Sequence, residues 1–258
     1  MTSSGGLAGS LSVVVGGNQG IGAGIAARLA ALGSGVVIVG RNADTLESTA
    51  AAIRSSAAAD LVVETRQLDV SDVGALTGGL DAVVADLGTP RLLVNSAGGS
   101  LKRAALEVTP AEWDATIDTH LRGTFFACQA VARHMAAVGY GKIVNLSSIW
   151  ASTVAPERSV YAIAKAGVGQ LTAALAVEWA PLGIRVNAVA PAATYTPRVM
   201  ARHEQDPAAA RYSEERIPMG RLAEVDDVVE AVVYLASAAS DFVTGHSLYV
   251  DGGWRYAK

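Results

Sequence analysis

The chain has 258 residues, 51% apolar and 17% charged, and its 20 basic and 24 acidic side chains leave a net charge of −4. That balance, with no basic run to track a phosphate backbone or an anionic membrane, argues against nucleic-acid and membrane partners. A chain this apolar must bury strands on both faces under helices, which points to a parallel α/β sheet, and its length fits one domain.

The first ten residues are Gly/Ser-rich and are expected to be a flexible start without a secretory leader, ahead of a single domain over 11–258. Short β-branched runs then alternate with Ala/Leu-rich stretches of helical period, the pattern of repeated βαβ units. Strands are expected at Leu11 to Val15, Val36 to Gly40, Leu61 to Leu68, Arg91 to Asn95, Lys142 to Leu146, Ile184 to Val189 and Ser247 to Val250. That is a doubly wound parallel sheet of about seven strands with helices on both faces. No apolar run is read as spanning a bilayer. The only cysteine, Cys128, lies in a helical apolar stretch and serves as a small hydrophobe, so a reducing cytoplasm is the expected setting. The longest helices are expected over Ala111 to Val138 and Ser159 to Ala180. In the second, the small residues Ala162, Ala164, Ala166, Gly167 and Gly169 suit close packing against another subunit. The segment 192–218 holds three prolines and mixed charges with no clean period, and is expected to act as a substrate lid.

The first strand runs into Gly16-Gly17-Asn18-Gln19-Gly20-Ile21-Gly22, after which apolar residues continue at helical spacing. Glycines let the backbone approach a pyrophosphate, and the free amides and dipole of a helix N-terminus stabilise the anion. A tight βα connection without a ligand gives the same turn, so this signal alone does not decide. The second strand ends at Gly40-Arg41-Asn42, where an acidic residue would bind the ribose of NAD. An arginine there suits the 2′-phosphate of NADP, through a charge-assisted contact of about 1.5–3 kcal/mol. The competing reading is a solvated Arg41 beside a helix capped by Asn42 or Asp44.

Tyr161 and Lys165 lie four apart in an expected helix, so they share a face, and Ser148 closes the strand that ends at Leu146. An ammonium about 4 Å from the phenol would contribute about 4 kcal/mol at an effective dielectric of about 20, enough to bring tyrosine from its ordinary value of about 10 toward neutrality. Taken alone, the pair also fits an ordinary amphipathic helix surface. No metal is expected.

In this context the sequence resembles the short-chain dehydrogenase/reductase family over essentially Leu11 to Gly253. Gly16, Gly20 and Gly22 match its cofactor loop, Asp69-Val70 its adenine-contacting pair, and Asn95-Ser96-Ala97-Gly98 its segment after the fourth strand. Ser148, Tyr161 and Lys165 match its catalytic residues in order and spacing. Pro191 to Thr196 resembles its nicotinamide-contacting loop, with Ala192 in place of a usual glycine, Thr194 acting through its backbone and Thr196 at the carboxamide. Val250-Asp251-Gly252-Gly253 resembles its terminal strand and turn. The resemblance implies a single-domain Rossmann-type fold and a homodimer or homotetramer. It further implies hydride exchange between NADP(H), with NAD(H) possible, and a small carbonyl or alcohol. Ser148 would position the substrate oxygen, Tyr161 would transfer the proton, and Lys165 would lower the tyrosine pKa and bind the nicotinamide ribose.

The chain departs from the pattern at His120, where the family has an asparagine that holds a water leading to the lysine. The imidazole either carries a proton itself, titrating near neutrality, or fills space. Val15 replaces a threonine. A carrier-protein 3-oxoacyl reductase is a second reading, made less favourable by Leu182 where such enzymes can carry an arginine, and a non-catalytic NADP(H) sensor or scaffold is a third. Gly99, Trp150, Ser152, Tyr195 and the lid are expected to set the substrate. Trp150 and Tyr195 form either an aromatic wall or surface cover.

Overall fold

The computed structural model describes residues 6–257. Seven strands, β1 (Leu11–Val15), β2 (Gly35–Gly40), β3 (Val63–Gln67), β4 (Leu92–Asn95), β5 (Gly141–Leu146), β6 (Ile184–Pro191) and β7 (Ser247–Val250), form one parallel sheet in the order 3-2-1-4-5-6-7. Alternation along the strands explains the layers. Val14, Val36, Ile38, Val94 and Val144 face α1 (Gly20–Ala31), α2 (Ala43–Ser56) and α9 (Val225–Ala236). Val13, Val15, Val37, Leu93, Ile143 and Val186 face the other layer, built from α3 (Val73–Leu87), α5 (Gly123–Val138) and α6 (Ser159–Trp179). Both faces are apolar, which is why the strands read as continuous β-branched runs. The strand order reverses between β1 and β4, and the carboxyl ends of the strands there open the crevice where doubly wound folds take ligands.

Several expectations change. Residues 1–5 lie outside the described residues, but 6–10 are not a loose start: Leu7 is 1% exposed in the core and the Gly9 amide donates to the Gly33 carbonyl at 2.8 Å. The long helix expected over Ala111 to Val138 is interrupted. It begins as α4 (Pro110–Ile117) on a Thr109–Glu112 capping box, widens into a π-turn over Asp118–Arg122 and resumes as α5. Ala162 and Ala164 on α6 are buried within the chain, and Gly167 packs against Leu121, so those small residues serve internal packing rather than a partner. The run Ser159–Leu182 is long and apolar enough to cross a membrane by length and composition, against the expectation. Nearly half of its apolar window is buried inside the fold and it carries Lys165, as a core helix does. The lid region is more ordered than its composition suggested, forming α7 (Pro197–Gln205) and α8 (Pro207–Arg216).

Candidate active site

The loop after β1 is packed so closely against the end of β4 and against itself that only glycine fits at two of its positions. Gly16 has φ 79°, and a Cβ there would lie 2.5 Å from Ala97 Cα, while one on Gly22 would lie 2.1 Å from the Gly16 carbonyl oxygen. Thus Ala97, at the end of β4, forms the floor beside the loop, and α1 starts at Gly20 with no side-chain cap on its free amides. Gln19 is exposed, and Ile21 packs against the core. Asn18 is tied to α2 through Thr45 Oγ1 at 2.7 Å, and its Oδ1 would lie 2.7 Å from any Cβ on Gly40. The space that an acidic side chain at position 40 would need is taken by Asn18.

Arg41 is exposed and touches Asp69 at 3.6 Å. Burial raises the Asp69 carboxyl, but the Ser71 amide and hydroxyl, at 2.9 and 2.7 Å, and the Arg41 charge together hold it below the ordinary value. Asn42 caps α2, accepting from the Thr45 amide at 2.8 Å, so its side chain is committed to the helix. Val70 is buried against Gly123. The Asn95 side chain donates to Asn145 Oδ1 at 2.9 Å and Cys128 Sγ at 3.2 Å, Asn145 donates on to Thr172 at 3.0 Å, and Asn95 Oδ1 is buried without a partner among the described residues. That buried amide network fixes the ends of β4 and β5 from beneath. Across the crevice, Pro191 and Thr194 are buried, Ala192 donates to Val250 O at 3.0 Å, and Thr194 Oγ1 turns back to Ala192 O at 3.1 Å. The Thr194 side chain is thereby used up. Thr196 caps α7 and its methyl would lie 3.5 Å from a Cβ on Gly20, which brings the lid onto the loop.

Ser148, Tyr161 and Lys165 do converge at the carboxyl end of β5. Ser148 is buried and accepts from the Trp150 amide at 3.3 Å, and its hydroxyl lies close enough to the Tyr161 phenol to lower its pKa. Lys165 Nζ donates to the Leu146 carbonyl at 2.7 Å and lies 5.8 Å from the Tyr161 ring centroid. Burial lowers the Lys165 ammonium to about 8. The tyrosine does not behave as expected: burial raises the phenol, and the groups opposing it are the Ser148 hydrogen bond and the charges of Arg158 and Arg198, not Lys165.

His120 projects from the π-turn, edge-on to the Tyr161 ring with centroids 5.3 Å apart. Its Nε2 lies 2.6 Å from the Gly99 carbonyl, so this nitrogen carries the proton and Nδ1 is a bare acceptor, buried and without a partner among the described residues. Gly98, with φ 138°, leaves the room for the ring, since a Cβ there would meet His120 Cε1 at 2.1 Å. Burial first, then the Lys165 charge, pushes the imidazole down to about 3. These leave the ring a neutral imidazole rather than a group poised to titrate near neutrality.

Trp150 and Tyr195 are partly buried in a small cluster with Ile149, Ile217, Leu222 and Trp254. They belong to a wall whose centre, Trp254, the sequence reading missed. It also missed Arg158, Arg198 and Arg202, which lie far apart in the chain and carry no motif. Ser152 is exposed, and Gly99 sits under Arg198, whose Nη1 would lie 2.6 Å from a Cβ there.

A glycine loop, an acid-orienting pair beyond β2 and β3, and a Ser-Tyr-Lys group around one crevice define a nicotinamide-dependent oxidoreductase. The chain belongs to the short-chain dehydrogenase/reductase family: residues 15–255 match the family model described as enoyl-(acyl carrier protein) reductase. It is 41% identical over 246 residues to cis-4-hydroxycyclohexanecarboxylate dehydrogenase of Sinomonas cyclohexanicum, covering 95% of this chain and 96% of that one. It is 36% identical over 250 residues to gluconate 5-dehydrogenase of Gluconobacter oxydans, covering 96% and 95%. The crystal structure of a gluconate 5-dehydrogenase from Burkholderia cenocepacia, in complex with NADP and tartrate, superposes with a TM-score of 0.91 at 34% identity, covering 97% of each chain.

Proposed function

We propose that this enzyme prefers NADP(H) and interconverts a small ketone or aldehyde with its alcohol, Tyr161 acting as acid and base. The observation that carries the reading is the convergence of Ser148, Tyr161 and Lys165 at the carboxyl end of β5, with Lys165 Nζ held on the Leu146 carbonyl at 2.7 Å and 5.8 Å from the Tyr161 ring centroid. The loop from Gly16 to Gly22, Arg41 with Asp69, the Ala97-Gly98 strip and the segment from Pro191 to Thr196 would hold the cofactor. When bound, it supplies or accepts the hydride. Because burial keeps the phenol protonated at neutral pH, Tyr161 is poised to donate its proton to the substrate oxygen during reduction. Ser148 orients that oxygen on the same side. Lys165, anchored on Leu146 O, places an ammonium behind the tyrosine that can restore its proton. His120 takes the place of the family's asparagine as a neutral acceptor, Nδ1 receiving a hydrogen bond from a water or from Lys165. Relatives named for oxidation of hydroxylated carboxylates support a small polar substrate over an acyl carrier protein, as does the half-exposed, uncharged Leu182.

The test is Tyr161→Phe, which removes one oxygen. Turnover with a ketone panel should fall at least a thousandfold, while NADPH affinity by fluorescence titration changes less than threefold. Full activity in this variant would overturn the assignment.

A further inference from the structure

Two guanidinium groups, Arg158 and Arg198, flank the Tyr161 crevice around the Gly98-Gly99 strip that also holds His120 against the Tyr161 ring, and a third, Arg202, lies beside Arg158. Arg198, at the start of α7, is exposed and donates through Nη1 to the Gly98 carbonyl at 3.2 Å. Arg158, just before α6, is half-buried, with Nη1 bonded to Ser100 Oγ and 3.4 Å from Leu101 O, and its guanidinium carbon 6.0 Å from the Trp150 ring centroid. Burial first, and then the charge of Arg202, one turn beyond Arg198 on the same helix, lowers the Arg158 pKa, and the Arg202 Nε is buried without a hydrogen-bond partner among the described residues.

None of the three makes an ion pair among the described residues. The nearby carboxylates Glu157 and Asp206 both face Lys102 instead, at 3.5 and 3.7 Å. Of these, Glu157 exerts only a minor pull on Arg158. Clustered like charges without a counter-ion are unfavourable in a partly desolvated wall, and a fold keeps them where an anion completes the site. The planar forks suit a carboxylate, which can accept two parallel hydrogen bonds. Arg198 holds the Gly98 carbonyl, next to the Gly99 carbonyl that binds His120 edge-on to the Tyr161 ring, so the guanidiniums border the space that a substrate protonated by Tyr161 must enter.

Resting on the carbonyl-reductase reading above, we propose that Arg158 and Arg198, backed by Arg202, recognise a carboxylate on the substrate, so that the enzyme acts on oxoacids and the matching hydroxyacids. Arg198 rides on the lid, so the same contact would draw α7 over the bound substrate.

The experiment compares 4-oxopentanoate and 5-oxohexanoate with their methyl esters, using NADPH and the wild-type, Arg158→Gln and Arg198→Gln enzymes. The readout is the acid-to-ester ratio of kcat/KM within each enzyme, so a general loss of activity or folding cancels. We expect a ratio of at least ten in the wild type, falling at least fivefold in each variant. A ratio near one in the wild type overturns the proposal while leaving the carbonyl-reductase reading intact. So does an unchanged ratio in both variants. Reduction of a carrier-bound 3-oxoacyl group with no preference among the free acids also overturns it. Should none of the four ketones turn over, calorimetric titration of the enzyme–NADPH complex with glutarate decides. Binding weakened at least fivefold by Arg198→Gln supports the anion wall, and no binding to the wild type overturns it.

Discussion

His120 is a neutral imidazole held between a carbonyl on one side and the catalytic tyrosine on the other. Its folded pKa of about 3 lies below the ordinary 6.5, so between those values the unfolded chain binds a proton that the folded chain refuses. Stability is thus complete above about pH 6.5 and falls as pH drops toward 3, by at most about 1.4 kcal/mol per pH unit from this one group. Chemical denaturation across that range should show the slope, and His120→Asn should flatten it. For activity, kcat should carry no limb near pH 6.5 that belongs to His120. His120→Asn should keep most of the rate, and His120→Leu, which removes the acceptor, should lower kcat about tenfold with the pH profile unmoved. Loss of a limb near 6.5 in the Leu variant would show that the ring does titrate. Arg41 supports a second expectation: NADPH should bind at least tenfold more tightly than NADH, and Arg41→Gln should erase most of that margin. Equal affinities in the wild type by fluorescence titration would refute it. The convergence of Ser148, Tyr161 and Lys165 was legible through the resemblance to the family, since their spacing alone also fits an ordinary helix surface, and the position of Arg41 through the end of the β2 pattern. The state of His120 was not, since it depends on burial against Gly98, Gly99 and Lys165, contacts that no local pattern encodes.

At the scale of elements, the strands follow directly from apolar periodicity and their bounds shift by no more than about two residues, and α6 ends within one residue of its expected bound. Most of the misreading falls where a polar or special backbone feature decides. The prolines that seemed to break the lid begin its helices instead: Pro197 and Pro207 stand at the first position of α7 and α8, where the missing N–H costs nothing. The lid helices are also short and rich in charged residues, so the apolar pattern across the segment was weak. In the same way the π-turn at Asp118–Arg122 adds a residue to one turn without altering composition, and it is what carries His120 inward. The lid's own anchor can be tested. Thr196 caps α7 by accepting from the Val199 amide at 3.3 Å, and loss of such a cap costs about 1 kcal/mol. In Thr196→Ala, hydrogen exchange should quicken over 197–205 while Tm falls by no more than about 4 °C, because the lid opens separately from the sheet. Unchanged exchange over α7 would mean that packing on Gly20, not the cap, holds the helix.

For the whole molecule, the sheet is closed on both faces by its own helices, yet the outer surfaces of α5 and α6 stay apolar. Phe125, Leu171, Leu175, Trp179 and Leu182 line a groove between these helices, and Val177 on α6 is 79% exposed. We propose that this face pairs with a second copy about a two-fold axis, as the resemblance to the family implied, so that each groove receives the partner's α6. Val177→Asp separates this from packing within the chain. The side chain is 79% exposed in its own subunit, so the substitution should leave the stability of the isolated fold within about 0.5 kcal/mol of the wild type, yet a charge buried in an interface should break the pairing. Light scattering at micromolar concentration should therefore report a dimer or larger assembly for the wild type and a smaller species for Val177→Asp. A monomeric wild type would refute the assembly outright. An assembly that survives Val177→Asp but dissociates in Phe242→Asp, at a residue fully exposed beside β7, would move the interface to that edge of the sheet.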